Sequence, residues 1–278
     1  MPHRPAIATA PAPEVLFDGA HLRATLFRPA GVPNGGLFVT FGHFRDDRGG
    51  FEPARPVAHA LRGGWASLRL QSRRNDWFIN PDTGALADRL ARLASGFDRR
   101  VALGFSMGGY AAMRFSGALA LDLAVLVSPQ FSIDPGRVPF DPRYRAEAAG
   151  FDPGLGDLDA HGPADLDGLV LFDPFQDLDR KHAAMIAARF PGLLSCRLGF
   201  AGHPATRVLR EAGLFGPFRA LLLDWRATRA GVTGLHRKAR ARSRAYWQAL
   251  AARAEASGRA PLARHACQRA AACAQARN

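Results

Sequence analysis

The chain has 278 residues, 47% of them hydrophobic and 22% charged, which is the balance of a globular protein and excludes a disordered or fibrous one. That length allows one large domain with a small appendage. The net charge of +13 comes from arginine, since Lys181 and Lys238 are the only lysines, and it favours acidic substrates or anionic surfaces.

In chain order, Leu16–Asp18 and Leu22–Arg28 read as strands joined at the Asp18-Gly19 turn, an opening hairpin. Leu37–Phe41 is an apolar run suited to a buried parallel strand. Residues 53–62 have helical spacing and stop at Gly63-Gly64. Trp65–Gln71 is a strand, Thr83–Leu93 a helix through Leu86, Leu90 and Leu93, Val101–Phe105 a strand and Met107–Leu119 a helix. Leu121–Val127 and Leu169–Phe172 are two more strands, Asp179–Arg189 a helix and Leu193–Phe200 the last strand, with helical material from Pro204 onward. Such alternation predicts an α/β fold, a mostly parallel sheet with helices on both faces.

Residues 129–167 interrupt the alternation with Pro, Gly and Asp, a lid-like insertion. The expected organisation is a tail over 1–12, the main domain over 13–230 and a basic helical extension over 231–278. Within that extension Trp247, Leu250, Ala251, Ala254, Ala263, Cys267 and Ala270 resemble the spacing of a single tetratricopeptide repeat. Since one repeat cannot bury its own apolar face, this pair of helices is read either as a hairpin packed on the main domain or as a protein-partner module.

No apolar run approaches the roughly 18 residues that cross a bilayer, and Met1 to Pro13 lacks the apolar core of a signal peptide, so a cytoplasmic location is expected. Cys196, Cys267 and Cys273 have no CxxC spacing and read as buried free thiols, with neither zinc nor a disulfide framework expected. No cofactor and no specific nucleic-acid partner is expected, because the charge comes with no nucleic-acid motif.

The chemistry-bearing stretch is Val101-Ala-Leu-Gly-Phe-Ser-Met-Gly-Gly-Tyr110, a strand, then Gly104-x-Ser106-x-Gly108, then a helix. A serine in so tight a turn needs glycines two residues to either side, and the turn raises its hydroxyl above the C-terminal edge of the sheet. The spacing therefore marks Ser106 as a nucleophile, with the Met107 N–H at a helix start as an oxyanion donor.

On these residues the chain resembles the α/β-hydrolase superfamily over roughly residues 13–228. The patterns Gly-Phe-Ser-Met-Gly-Gly-Tyr, Ser128-Pro-Gln-Phe-Ser-Ile-Asp134 and Asp173-Pro-Phe resemble a bacterial branch of it. The resemblance implies a serine–acid–histidine order along the chain. His203, in Gly-Phe-Ala-Gly-His-Pro after the last strand, matches the base; His161 falls in the insertion and His182 in a helix, where a surface position is expected. Asp173, closing a strand, is favoured as the acid, with Asp177 the alternative; Asp179 reads as a helix N-cap, and Asp134 after the preceding strand is an outside candidate. The second oxyanion donor is expected in Gly42-His43-Phe44, at His43 or Phe44, with His43 favoured, although the family often carries His-Gly there. Arg73, Arg74 and Trp77 could wall a pocket for an anionic or planar group.

The function so implied is a serine hydrolase acting on a carboxylic ester or thioester through an acyl-enzyme, its substrate a small or acyl molecule that could be anionic. Two rivals share the sequence: an acyltransferase on the same fold, and a non-catalytic binding protein working through the C-terminal helices.

Overall fold

A computed structural model describes residues 11–29, 31, 35–224 and 227–275. The Ala- and Pro-rich start of the expected tail thus lies outside the described residues. Eight strands form one sheet: β1 (Glu14–Asp18), β2 (Leu22–Phe27), β3 (Gly36–Phe41), β4 (Trp65–Ser72), β5 (Arg99–Phe105), β6 (Leu123–Val127), β7 (Gly168–Phe172) and β8 (Leu193–Arg197). Their spatial order is β1-β2-β4-β3-β5-β6-β7-β8. The opening hairpin pairs antiparallel and β2 runs antiparallel to β4, while every pair from β4 to β8 is parallel. This is the α/β-hydrolase fold.

The helices are α1 (Ala58–Arg62), α2 (Thr83–Ala94), α3 (Met107–Arg114), α4 (Arg145–Ala148), α5 (Leu158–His161), α6 (Asp177–Arg189), α7 (Arg207–Glu211), α8 (Phe215–Leu223), α9 (Arg229–Arg240), α10 (Arg244–Ala256) and α11 (Ala260–Gln275). Strand alternation sorts the core into two layers. On one face Val39, Leu68, Ala102 and Leu126 pack with Leu86 and Leu90 of α2, Met107 and Tyr110 of α3 and Ile186 of α6. On the other, Phe38, Val101, Leu103, Val125 and Leu171 meet Ala60 of α1, Val208 of α7, Phe218 of α8 and Val232 of α9. The central parallel strands β3, β5, β6 and β7 are buried on both faces over most of their length, which is why they read as apolar runs, whereas β8 at the edge leaves Leu194 and Arg197 exposed.

Two of the expected helices are shorter than their sequence spacing, and the last strand, expected over Leu193–Phe200, ends at Arg197. The helix expected over 53–62 forms only from Ala58, because Pro53 and Pro56 hold the preceding chain out of the helical ladder. The helix after Ser106 ends at Arg114 instead of Leu119. The insertion contains only the single-turn helices α4 and α5. The helices α10 and α11 form a hairpin about Gly258, whose φ of +68° suits glycine. Of the cysteines, Cys196 is buried and its thiol is pushed up to about 12 by burial; Cys267, expected to be buried, is exposed, and Cys273 is partly so.

Candidate active site

Strand β5 delivers the chain into Ser106 at φ 49° and ψ −118°, a conformation that costs a non-glycine residue roughly 1–3 kcal/mol. The fold holds it there by hydrogen bonds on both sides. Ser106 N–H donates to the Val127 carbonyl of β6 at 2.9 Å, and the Ser106 carbonyl accepts from Gly109 N–H at 2.8 Å. The flanking glycines are demanded by contact. A Cβ on Gly104 would run into the Gly108 carbonyl, and one on Gly108 would lie 2.8 Å from the Gly42 carbonyl oxygen. The turn thus lets α3 press onto β5 on one side and onto the loop after β3 on the other. Met107 is the first residue of α3, where backbone N–H groups have no partner within the helix.

Ser106 is only 7% exposed. Its hydroxyl donates to Gln130 Oε1 at 3.2 Å, an oxygen that also accepts from the Trp77 indole N–H at 3.3 Å. Over them lies Tyr144 from the insertion, its ring 4.6 Å from that of Trp77 and 5.5 Å from that of Phe44. Burial pushes the Tyr144 phenol above its usual value, opposed by Arg143 and by a hydrogen bond with the Ser106 hydroxyl. Of the three residues expected to wall a pocket, Trp77 alone is here: it is fully buried, while Arg73 and Arg74 are exposed, and Arg73 lies over the Phe51 ring.

The imidazole of His203 follows β8, and its Nδ1 lies 2.7 Å from Asp179 Oδ2. One hydrogen bond sets this segment beside the elbow: Ala205 N–H donates to Ser128 Oγ at 3.1 Å, next to the Val127 carbonyl that holds Ser106. Among the described residues there is no hydrogen bond between Ser106 and His203, and His203 Nε2 has no protein partner.

The carboxylate on His203 differs from the favoured one. Asp173 is 1% exposed, and its oxygens accept from Phe175 N–H at 3.0 Å, Phe200 N–H at 3.1 Å and Gly202 N–H at 2.8 Å. It pins the loop that carries His203 rather than the ring itself. Asp177 points outward and pairs with Arg180 and Lys181 of its own helix. Asp134 accepts from Gly136 N–H, a local turn bond. Asp179 is not the N-cap, because α6 begins two residues earlier with Gln176 in that position. One turn in, its side chain faces the core, and the buried residues of the helix are Asp179, His182, Ala183 and Ile186.

Asp179 is also gripped from the insertion, with Arg143 Nη1 3.0 Å from its other oxygen. Arg143 in turn holds Asp141, which lies 2.8 Å from His182 Nε2. His182, expected at the surface, is wholly buried. Its Nδ1 accepts the Phe131 N–H at 3.0 Å, so the ring proton resides on Nε2 and is donated to Asp141. Burial alone would raise both carboxyls, but the bonds from His203 and Arg143 to Asp179, and from His182 and Arg143 to Asp141, leave each below the usual carboxylate range. His161 is remote from this network and faces the Gly154 carbonyl.

Opposite Met107, the loop after β3 carries His43 and Phe44. Arg48 reaches the His43 carbonyl, and Gly42 N–H is used by Leu70, but among the described residues neither the His43 nor the Phe44 N–H has a protein acceptor. Desolvation, and then Arg69, Arg48, Arg45 and Arg210, lower the His43 imidazole below its ordinary value.

No family model matches this chain, and no curated protein matches it. Solved structures do. The capsule O-acetyltransferase of Neisseria meningitidis serogroup A is 12% identical, aligning over 74% of this chain and 92% of its own with a TM-score of 0.50. An esterase of Pyrococcus furiosus is 13% identical over 78% and 92%, with a TM-score of 0.48. A lipase/esterase of Lactobacillus plantarum is 19% identical over 73% and 98%, with a TM-score of 0.45. What this chain shares with the first of these is its fold.

Proposed function

We propose that the protein is a serine hydrolase cleaving a carboxylic ester or thioester, with Ser106 as nucleophile, His203 as general base and Asp179 as the carboxylate that orients His203. The observation that carries this reading is the pairing of a strained serine at a helix start with an imidazole whose Nδ1 is held by a buried carboxylate on the same rim of the sheet. Asp179 accepting from Nδ1–H leaves the Nε2 lone pair free to take a proton.

In the reaction Ser106 Oγ swings from Gln130 toward His203. Oγ attacks the acyl carbon as its proton passes to Nε2, and the carbonyl electron pair moves onto oxygen, where Met107 N–H and a donor from His43 or Phe44 receive it. Collapse expels the alcohol or thiol, protonated by His203, and leaves an acyl group on Ser106. Water, giving its proton to His203, then releases the acid. With an alcohol or amine in place of water the same steps give acyl transfer.

A fluorophosphonate probe tests the assignment. Wild type is expected to be labelled and Ser106→Ala to be blank; labelling that survives in the variant, or a wild type that resists the probe, overturns it.

A further inference from the structure

On the sheet face bearing Phe38, Leu103 and Phe105 lies a cavity of about 530 Å³, within the range of small-molecule sites. Its rim reaches His43 in the loop after β3 and Phe105, the residue before Ser106. Four arginines line it: Arg55 before α1, Arg69 of β4, Arg210 of α7 and Arg219 of α8. Among the described residues none of the four has an ion-pair partner. The one acidic residue on the wall, Glu52, is engaged by Arg45.

Positive charge gathered without counter-charge is costly, and it favours the neutral form of each group. Burial and then Arg48 hold Arg69 down to about 10, while burial and then Arg219 lower Arg210. Arg69 donates one N–H to the Phe41 carbonyl and Arg210 lies 3.8 Å over the Phe215 ring, contacts that fix the two side chains without supplying a counter-charge. Among the described residues two buried polar atoms of the cavity wall also have no partner, Arg219 Nε and the Oε1 of Gln71, a side chain only 2% exposed. A donor and an acceptor are therefore left open in a cavity lined by four guanidinium groups.

We infer that this cavity binds the phosphate or pyrophosphate group of a small molecule. A monocarboxylate would offset one charge and leave the rest exposed to one another, whereas a phosphorylated group presents several oxygens to planar N–H forks. The Gln71 oxygen adds an acceptor for a hydroxyl or amide next to that group. Resting on the reading of Ser106 as nucleophile, the inference also names a substrate class: acyl esters or thioesters whose leaving group carries phosphate, anchored in the arginine cavity while the acyl carbon reaches the rim.

Calorimetry of the full chain with pyrophosphate, against acetate at equal ionic strength, tests the site. Pyrophosphate is expected to bind once per chain, and Arg210→Gln with Arg219→Gln to weaken it about tenfold or more. Arg55→Glu, at an exposed position that folding tolerates, is expected to weaken it too. Absence of binding at millimolar pyrophosphate, equal binding of acetate, or affinity untouched in both variants overturns the site. Ser106→Ala is expected to keep full pyrophosphate affinity, so the anion site and the nucleophile fail separately. Matched thioesters with and without a phosphate on the leaving group test the substrate class: a lower KM for the phosphorylated one, erased by the double variant, is expected, and equal KM values refute it.

Discussion

His203 Nδ1 and Asp179 Oδ2 stand 2.7 Å apart, with the Asp179 side chain 1% exposed and the imidazole 29% exposed. One partner of the pair is sealed in the protein while the other faces the rim where a substrate would arrive. This arrangement separates the roles of two aspartates that are both buried and both near the same loop.

Asp179→Asn is expected to lower kcat by about three to four orders of magnitude with little change in KM, because Arg143 keeps the amide oxygen and the amide NH2 is turned toward Nδ1, which holds the wrong tautomer. Asp173→Asn is expected to act on stability instead, by about 1–2 kcal/mol, as one of three backbone N–H groups loses its acceptor. Steady-state kinetics beside denaturant unfolding separates them; the reverse pattern would show that Asp173 is the acid.

Arg143 links two carboxylates, and its loss should appear in the acid limb of stability. Asp141 and Asp179 have folded-state values below their unfolded ones. Their contribution is therefore fully present above the ordinary carboxylate range and is lost as pH falls through the depressed folded values. Arg143→Met raises both folded values, so the loss is expected to begin at higher pH, with roughly 3 kcal/mol already gone near neutrality. Urea unfolding at a series of pH values measures it; an unchanged acid limb would contradict it.

Tyr144 roofs Ser106 together with Trp77. Tyr144→Ala is expected to speed labelling by a bulky fluorophosphonate more than labelling by a small one, since the change removes a barrier rather than altering the nucleophile. Tyr144→Phe, which keeps the ring, should leave the ratio of the two rates where it is in the wild type.

Gly104→Ala is expected to prevent soluble expression or to cost several kcal/mol, because the new methyl has backbone rather than a flexible side chain in its way. Thermal unfolding of any soluble protein checks it. A Tm within a few degrees of wild type would mean that α3 can shift off β5.

The sheet and the elbow were legible because each is a local pattern: apolar runs of strand length, and glycines at fixed offsets from Ser106. The position of His203 after the last strand is legible in the sequence, and its contact with Asp179 is not. In the sequence Asp179 reads as an N-cap because its place depends on where α6 starts, and the helix begins two residues earlier than its capping residues suggest. A signal was present in the three- and four-residue spacing of Asp179, His182, Ala183 and Ile186, which marks one buried face. Gln130, Arg143 and Tyr144 sit in an aperiodic segment, where no spacing indicates direction. The four cavity arginines come from positions 55, 69, 210 and 219, and the placing of α7 and α8 beside Phe105 of β5 brings the last two to the same cavity as the first two.

The second core layer continues past residue 230. Val232 and Ala239 of α9 are fully buried in it, and His236 Nε2 meets the Gly199 carbonyl at 3.0 Å, on the segment leading to His203. A chain cut at 230 would therefore bare an apolar trough along the sheet and free the strand-to-histidine connection at once. Shortening from that end should extinguish solubility and reactivity together, so the basic tail cannot be dissected from the chemistry by truncation and has to be probed by point changes on its outer surface.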